Sequence, residues 1–120
     1  MVTALSILLV GIGGSIGACL RFLISGAAPS IKGMPTGTLT VNAIGTCILA
    51  FLAYSTIGMD VIYPITIGVL GSFTTFSTFA YESFHLLEEG SLNLSITNIA
   101  SNVTFCFAGA GLGWALATLI

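Results

Sequence analysis

Gly68-Val69-Leu70-Gly71-Ser72-Phe73-Thr74-Thr75-Phe76-Ser77-Thr78-Phe79 lies in the middle of an otherwise apolar segment covering about 61–81. The segment has the roughly twenty residues that carry a helix across the hydrocarbon core of a bilayer. Its centre does not suit a smooth span. Gly68 and Gly71 weaken a helix, and the hydroxyls that follow offer its backbone competing hydrogen bonds. Two readings follow. In one the helix is continuous and the hydroxyls bond back to its own carbonyls. In the other it breaks mid-membrane, which is tolerated only where protein or a watery cavity surrounds the break. The exposed carbonyls can then hold a monovalent cation. The broken helix is the expectation.

Three further apolar segments flank this one, at about 5–24, 38–57 and 94–120. The chain therefore reads as an all-α membrane protein, a single transmembrane domain over residues 1–120 with four transmembrane helices. Pro29 and Pro35 interrupt the first connection, and Gly58-Met59-Asp60 forms the second. Short connections make consecutive helices antiparallel neighbours. Four spans place both termini on one side.

Composition agrees. Hydrophobic residues make up 56% of the chain and charged residues 5%, whereas a soluble domain carries about 25% charge. Two basic and four acidic residues cannot clothe a water-exposed surface, so the apolar exterior must meet lipid or protein. Nor is there a basic patch to neutralise phosphates, which excludes a nucleic-acid partner. Met1-Val2-Thr3-Ala4 has no basic region and the apolar run continues past Leu20, so the N-terminus reads as a first span and not as a cleaved leader. Cys19, Cys47 and Cys106 lie in apolar segments without a C-x-x-C pair and read as small hydrophobes.

Small residues at a spacing of four, Gly13 with Gly17 and Gly109 with Gly113, predict close helix contacts. Four short spans leave little interior for a pathway, which predicts oligomerisation. Orientation is weakly specified. The positive-inside rule acts through Lys and Arg near helix ends, and only Arg21 and Lys32 are present. Charge alone leaves open a chain that inserts both ways and a chain with a small ordinary bias.

The chemistry available is neutral. Phe76 and Phe79 share a helical face. They can be packing residues, or their positive ring edges can meet a small anion. Asn42 shares a face with Thr38 and Thr46, and Asn98 pairs with Asn102 on the last segment. Amides and hydroxyls inside a membrane need partners across helices, or they line an aqueous track and donate to an anion. No Asp or Glu sits mid-span, which argues against a proton-coupled exporter and a carboxylate-lined cation pore. Arg21 can draw anions to a vestibule or anchor its helix end against Glu82. His85 reads as an interfacial residue. Glu88 and Glu89 read as part of a solvated connection over 82–93. No nucleophile–base pair or nucleotide loop is present, so no enzyme is expected.

Four stretches together resemble a known family. They are Gly13-Gly14-Ser15-Ile16-Gly17-Ala18-Cys19-Leu20-Arg21-Phe22, then Gly37-Thr38-Leu39-Thr40-Val41-Asn42-Ala43-Ile44-Gly45-Thr46, then the stretch from Gly68 to Phe79 followed by Tyr81-Glu82, and the end of the last segment around Gly113. They resemble the small bacterial dual-topology fluoride channels, also described as camphor-resistance proteins. The resemblance implies an antiparallel homodimer with two pores along its interface, embedded in lipid in a bacterial cell inner membrane. It implies passive, fluoride-selective efflux that protects the cell from fluoride toxicity, and a structural sodium ion (Na+) at the dimer centre. By the family pattern the backbone carbonyls of Gly71 and Thr74 from each chain hold that ion. Phe76 and Phe79 match the pore-lining phenylalanines, Asn42 the polar residue near the fluoride path, and Arg21 the vestibule arginine. Ser77 and Thr78 add hydroxyls to the broken element. Family members often carry a pore-facing tyrosine and a serine four residues on; here Asn98 and Asn102 stand in their place as amide donors. Sparse charge then fits a chain that inserts both ways. Two other classes compete: a small dual-topology transporter for organic cations, marked by a carboxylate in the first span that is absent here, and a purely structural membrane subunit, whose polar residues would tolerate apolar replacement.

Overall fold

The computed structural model describes residues 4–55 and 62–119. The connection expected at Gly58-Met59-Asp60 lies outside the described residues. The rest is helical: α1 (Ala4–Ala27), α2 (Gly37–Tyr54), α3 (Ile62–Phe73), α4 (Phe76–Glu88) and α5 (Leu92–Ala117). α1, α2 and α5 are each long and apolar enough to cross a membrane. At 1.5 Å per residue the 24 residues of α1 reach about 36 Å. α3 and α4, with 12 and 13 residues, are each too short and together make the third span, bent between Phe73 and Phe76.

The distribution of polarity is inverted relative to a soluble bundle. Leu8, Phe22, Phe107 and Leu119 are exposed, whereas Thr38, Ser83, Ser95, Asn98 and Asn102 are buried. Apolar side chains gain nothing by hiding from lipid, while polar groups there need internal partners. The chain is a multi-pass membrane protein.

Two helix pairs carry the packing, α1 with α3 and α2 with α5, so the first span packs mainly on the third and the second on the fourth, and not on consecutive spans as the short connections predicted. Both pairs depend on missing side chains. A Cβ on Gly17 would strike the Val69 carbonyl, and one on Gly68 the Val10 carbonyl. On the other pair a Cβ at Gly109 would lie 2.8 Å from the Ala43 carbonyl, and one at Gly113 would strike the Cys47 carbonyl. The contacts expected from Gly17, Gly109 and Gly113 are present. α4 packs on α5 and touches α2. A tight turn through Lys32 (φ 52°) and Gly33 (φ 86°) pairs Ile31 with Met34.

Two further expectations change in detail. Helix continues to Glu88, so residues 82–88 belong to α4 and not to a connection; only Glu89, Gly90 and Ser91 separate it from α5. The bend also falls beyond the glycines thought to cause it. Gly68 and Gly71 sit inside α3, whose last turn still closes through Thr74 N–H to the Leu70 carbonyl at 3.1 Å. The chain departs at Thr75, which is extended (φ −153°, ψ 126°), and restarts as α4 with the Thr75 hydroxyl capping Thr78 N–H. A threonine cap, together with a partner on α2, makes the bend.

Candidate functional site

That partner is Asn42. Its Nδ2 donates to the Thr75 carbonyl at 2.9 Å, and its Oδ1 accepts from Thr75 N–H at 2.8 Å. An amide side chain matches a peptide group donor for acceptor, so Asn42 takes the Thr75 N–H that the bend removes from helical bonding and adds a bond to the Thr75 carbonyl, the N-cap carbonyl of α4. The four carbonyls from Gly71 to Thr74 lose their helical partners at the break, and for two of them the amide is taken elsewhere. In an unbroken helix Gly71 C=O would accept from Thr75 N–H and Thr74 C=O from Thr78 N–H. Those two amides are taken by Asn42 and by the Thr75 hydroxyl, the latter at 3.2 Å.

An apolar groove of about 450 Å³ opens beside the bend. Asn42, Thr46, Asn102, Phe76, Phe79 and Phe107 are among its lining residues, and none of the described residues lining it is Asp or Glu. Phe76 and Phe79 meet edge to face, centroids 5.6 Å apart at 67°. Phe76 is 78% exposed, unusual for a ring unless lipid or another chain covers it. A second hollow of about 390 Å³ lies against the bend, with Arg21, Ser25, Thr38, Thr75 and Thr78 in its wall. Thr75 lines both, so the bend partitions them.

The expected site residues divide accordingly. Asn42, Asn102, Phe76 and Phe79 meet in the groove. Arg21 and Thr78 meet in the second hollow. Ser77 is exposed, its hydroxyl 3.2 Å from that of Thr75, with the Thr78 hydroxyl at 3.1 Å. Gly71 is exposed and Thr74 half-buried at the bend. Asn98, 0% exposed, lies behind the groove wall and not in it. Glu82 Oε1 accepts the Thr38 hydroxyl at 2.7 Å and not the Arg21 guanidinium, and His85 Nε2 lies 3.4 Å from Glu89 Oε1. His85 also stacks on Tyr81, as suits an exposed residue at a helix end.

Two features escaped the sequence, and a third was legible only as a pair. The Thr38–Glu82 bond joins residues 44 apart, and Glu82 Oε2 is buried without a partner. Ser83 sits at the centre of a buried hydrogen-bonded cluster, accepting from Asn98 Nδ2 at 3.0 Å while its carbonyl accepts from Ser95 at 2.7 Å. Asn98 and Asn102 bond to each other as well as facing other helices. Their spacing of four was the only legible sign.

Comparison with known proteins places this geometry. The family model described as CrcB-like protein, Camphor Resistance (CrcB), matches residues 8–114. A protein of Methanosarcina barkeri named Fluoride-specific ion channel FluC 1 is 53% identical over 106 residues, covering 88% of this chain and 91% of its own. Fluoride-specific ion channel FluC of Methanocaldococcus jannaschii is 46% identical over 118 residues, 95% of each chain. Fluoride-specific ion channel FluC 2 of Haloarcula marismortui is 38% identical over 120 residues, the full length of both. These relatives are archaeal, where the resemblance implied bacterial ones; the long apolar helices fit a multi-pass protein of the plasma membrane.

Proposed function

The chain belongs to the CrcB camphor-resistance family, and from that premise we propose that it is a fluoride-selective channel. It transports and does not catalyse. The relatives' names support fluoride as the ion, and one observation in this chain carries the reading. The groove at the bend gathers an amide donor and an edge-to-face phenylalanine pair with no carboxylate in its wall. A small, strongly hydrated anion gives up water only where donors replace it. Asn42 supplies N–H hydrogens, and the rims of Phe76 and Phe79 supply partial positive charge. Arg21 in the second hollow draws anions toward the membrane, and the Thr78 and Ser77 hydroxyls lie beside the bend. Passive flux through such a path would let fluoride that enters as the neutral acid leave as the ion.

A single protomer leaves the groove open and Phe76 uncovered. An antiparallel homodimer closes it, with the two-fold axis in the membrane plane. Gly71 supports this arrangement, because it is exposed and a Cβ there meets nothing within 4 Å of its own chain. A partner can approach its backbone. The carbonyls of Gly71 and Thr74, whose helical amides are diverted, would then hold a structural sodium ion twice over. A carbonyl without a donor in a low-dielectric site is costly, and a monovalent cation relieves that cost.

The test is anion efflux from liposomes containing this protein alone. Fluoride should leave far faster than chloride, with chloride at the protein-free baseline. Equal rates, or no flux, would remove the fluoride reading. Repeating the measurement after sodium is exchanged for N-methylglucamine should weaken the dimer or slow the flux. Unchanged flux and dimer would remove the sodium ion and leave the channel.

A further inference from the structure

We propose that Asn102, Asn98 and Ser83 are positioning residues for the anion path, forming a one-directional hydrogen-bond relay that braces the Asn42 amide, whose orientation Thr75 sets, and the backbone at Phe79. The proposal rests on the fluoride reading of the groove and goes beyond it, since it takes Asn98 and Asn102 as bracing the donor and not as donors themselves.

The relay begins at Thr75 N–H, which donates to Asn42 Oδ1 at 2.8 Å. Asn42 Nδ2 donates to Asn102 Oδ1 at 3.4 Å. Asn102 Nδ2 donates to Asn98, to Oδ1 at 3.2 Å and to the main-chain carbonyl at 3.1 Å. Asn98 Nδ2 donates to Ser83 Oγ at 3.0 Å, and Ser83 Oγ–H donates to the Phe79 carbonyl at 2.8 Å. Every amide accepts from the member before it and donates to the member after it, and Asn42 Nδ2 also donates back to the Thr75 carbonyl. The chain leaves α4 at its cap, crosses α2 and α5, and returns to α4 one turn later.

The direction is not arbitrary. A peptide N–H only donates and a carbonyl only accepts. Thr75 presents both to Asn42, so the amide of Asn42 has one allowed orientation. Its nitrogen then faces Asn102, which must answer with oxygen. The nitrogen of Asn102 meets the Asn98 carbonyl, again an acceptor only, and the Phe79 carbonyl fixes the far end. Asn98 and Asn102 are 0% and 3% exposed, so water does not offer either amide a competing partner. Bonds aligned head to tail in a low-dielectric interior strengthen one another.

For the groove this means that Asn42 stands in its wall in one orientation, with both Nδ2 hydrogens engaged. One Nδ2 hydrogen serves the Thr75 carbonyl. The other serves Asn102 across the longest link in the relay, the one an entering anion exchanges most easily. Ser83 acts at the other end by holding the carbonyl of Phe79, the ring that lines the groove.

The variants are Asn102→Asp, Asn102→Leu and Ser83→Ala, each reconstituted in liposomes and assayed for fluoride efflux relative to wild type at the same pH. A protonated aspartic acid at 102 reproduces the relay, accepting from Asn42 and donating to Asn98. The ionised form has no hydrogen for Asn98 and opposes two oxygens. Asn102→Asp should therefore match wild type while the carboxyl is protonated and lose about tenfold in relative flux, the scale of one lost buried bond, once it ionises, a step that burial moves above the usual carboxylate range. Asn102→Leu should be low at every pH. The titratable groups on the surrounding helices are Cys47 and Tyr54 on α2, Tyr81, Glu82, His85 and Glu88 on α4, and Cys106 on α5; all are present in every variant, so the ratio removes them. Ser83→Ala touches neither groove nor Asn42. It should slow flux severalfold and shift the NMR resonances of the Asn42 side-chain amide. Wild-type flux in folded Asn102→Leu, with no Asn42 shift in Ser83→Ala, would overturn the relay. A wild-type protein without fluoride flux would instead overturn the fluoride reading, while the Asn42 resonances would still report the relay.

Discussion

Phe76 and Phe79 look equivalent by spacing and differ in surroundings. Phe79 is half-buried, whereas Phe76 is 78% exposed and packs within its own chain chiefly against Phe79. Removing the Phe76 ring therefore separates function from folding. Phe76→Ile should shift protomer stability by less than about 0.5 kcal/mol, the usual bound for a surface change. It should slow fluoride efflux at least about tenfold, because the ring edge is lost where an anion must shed water. Phe79→Ile should slow flux too and should also lower the melting temperature. Thermal unfolding in detergent beside liposome flux distinguishes the cases. Wild-type flux in folded Phe76→Ile would reduce both rings to packing residues.

At the scale of elements, the glycines fall into two groups that sequence spacing alone does not separate. Gly113 admits the Cys47 carbonyl between α5 and α2, while Gly11 on α1 has nothing within 4 Å of where its Cβ would be. A valine at 113 must displace backbone, which cannot rotate away, so Gly113→Val should abolish recovery of monodisperse protein. Gly11→Ala should be tolerated and can gain up to about 1 kcal/mol from helix propensity. Size-exclusion profiles of the two variants check the contrast. The spans were legible in the sequence because about twenty apolar residues leave few alternatives to a membrane helix. The bend was legible as a place but not as a mechanism. Gly68 and Gly71 drew attention by propensity, yet the decisive contact joins Asn42 to Thr75 across 33 residues, and periodicity carries no information about a partner on another helix. The extent of α4 was missed because Glu82, His85 and Glu88 suggested a solvated connection, whereas a helix can run on past the hydrocarbon with its bonds intact.

At the scale of the molecule, charge among the described residues sits mainly at one end. A Cβ on Gly33 would contact Leu94 at 3.4 Å, so the α1–α2 connection lies beside the start of α5. Lys32 is therefore at the same end as Glu88 and Glu89. Arg21 is half-buried against the second hollow, six residues before the end of α1, which leaves Lys32 as the fully exposed basic residue among those described. Orientation is set by Lys and Arg in short loops and is nearly indifferent to Glu. One lysine is a small bias, so copies of this chain should insert both ways, and an antiparallel dimer needs both. Three lysines added within 28–34 should force one orientation. A chain so biased should still make protomers but give fluoride flux near the protein-free baseline, because no oppositely inserted partner exists. Co-expression with a second copy carrying lysines within 56–60 should restore flux, since each then supplies the orientation the other lacks. Labelling of a single introduced cysteine at position 30 from each side of the membrane reads the orientations directly. One-sided labelling of the unmodified chain, or full flux from the lysine-biased chain alone, would show that function does not require opposed copies.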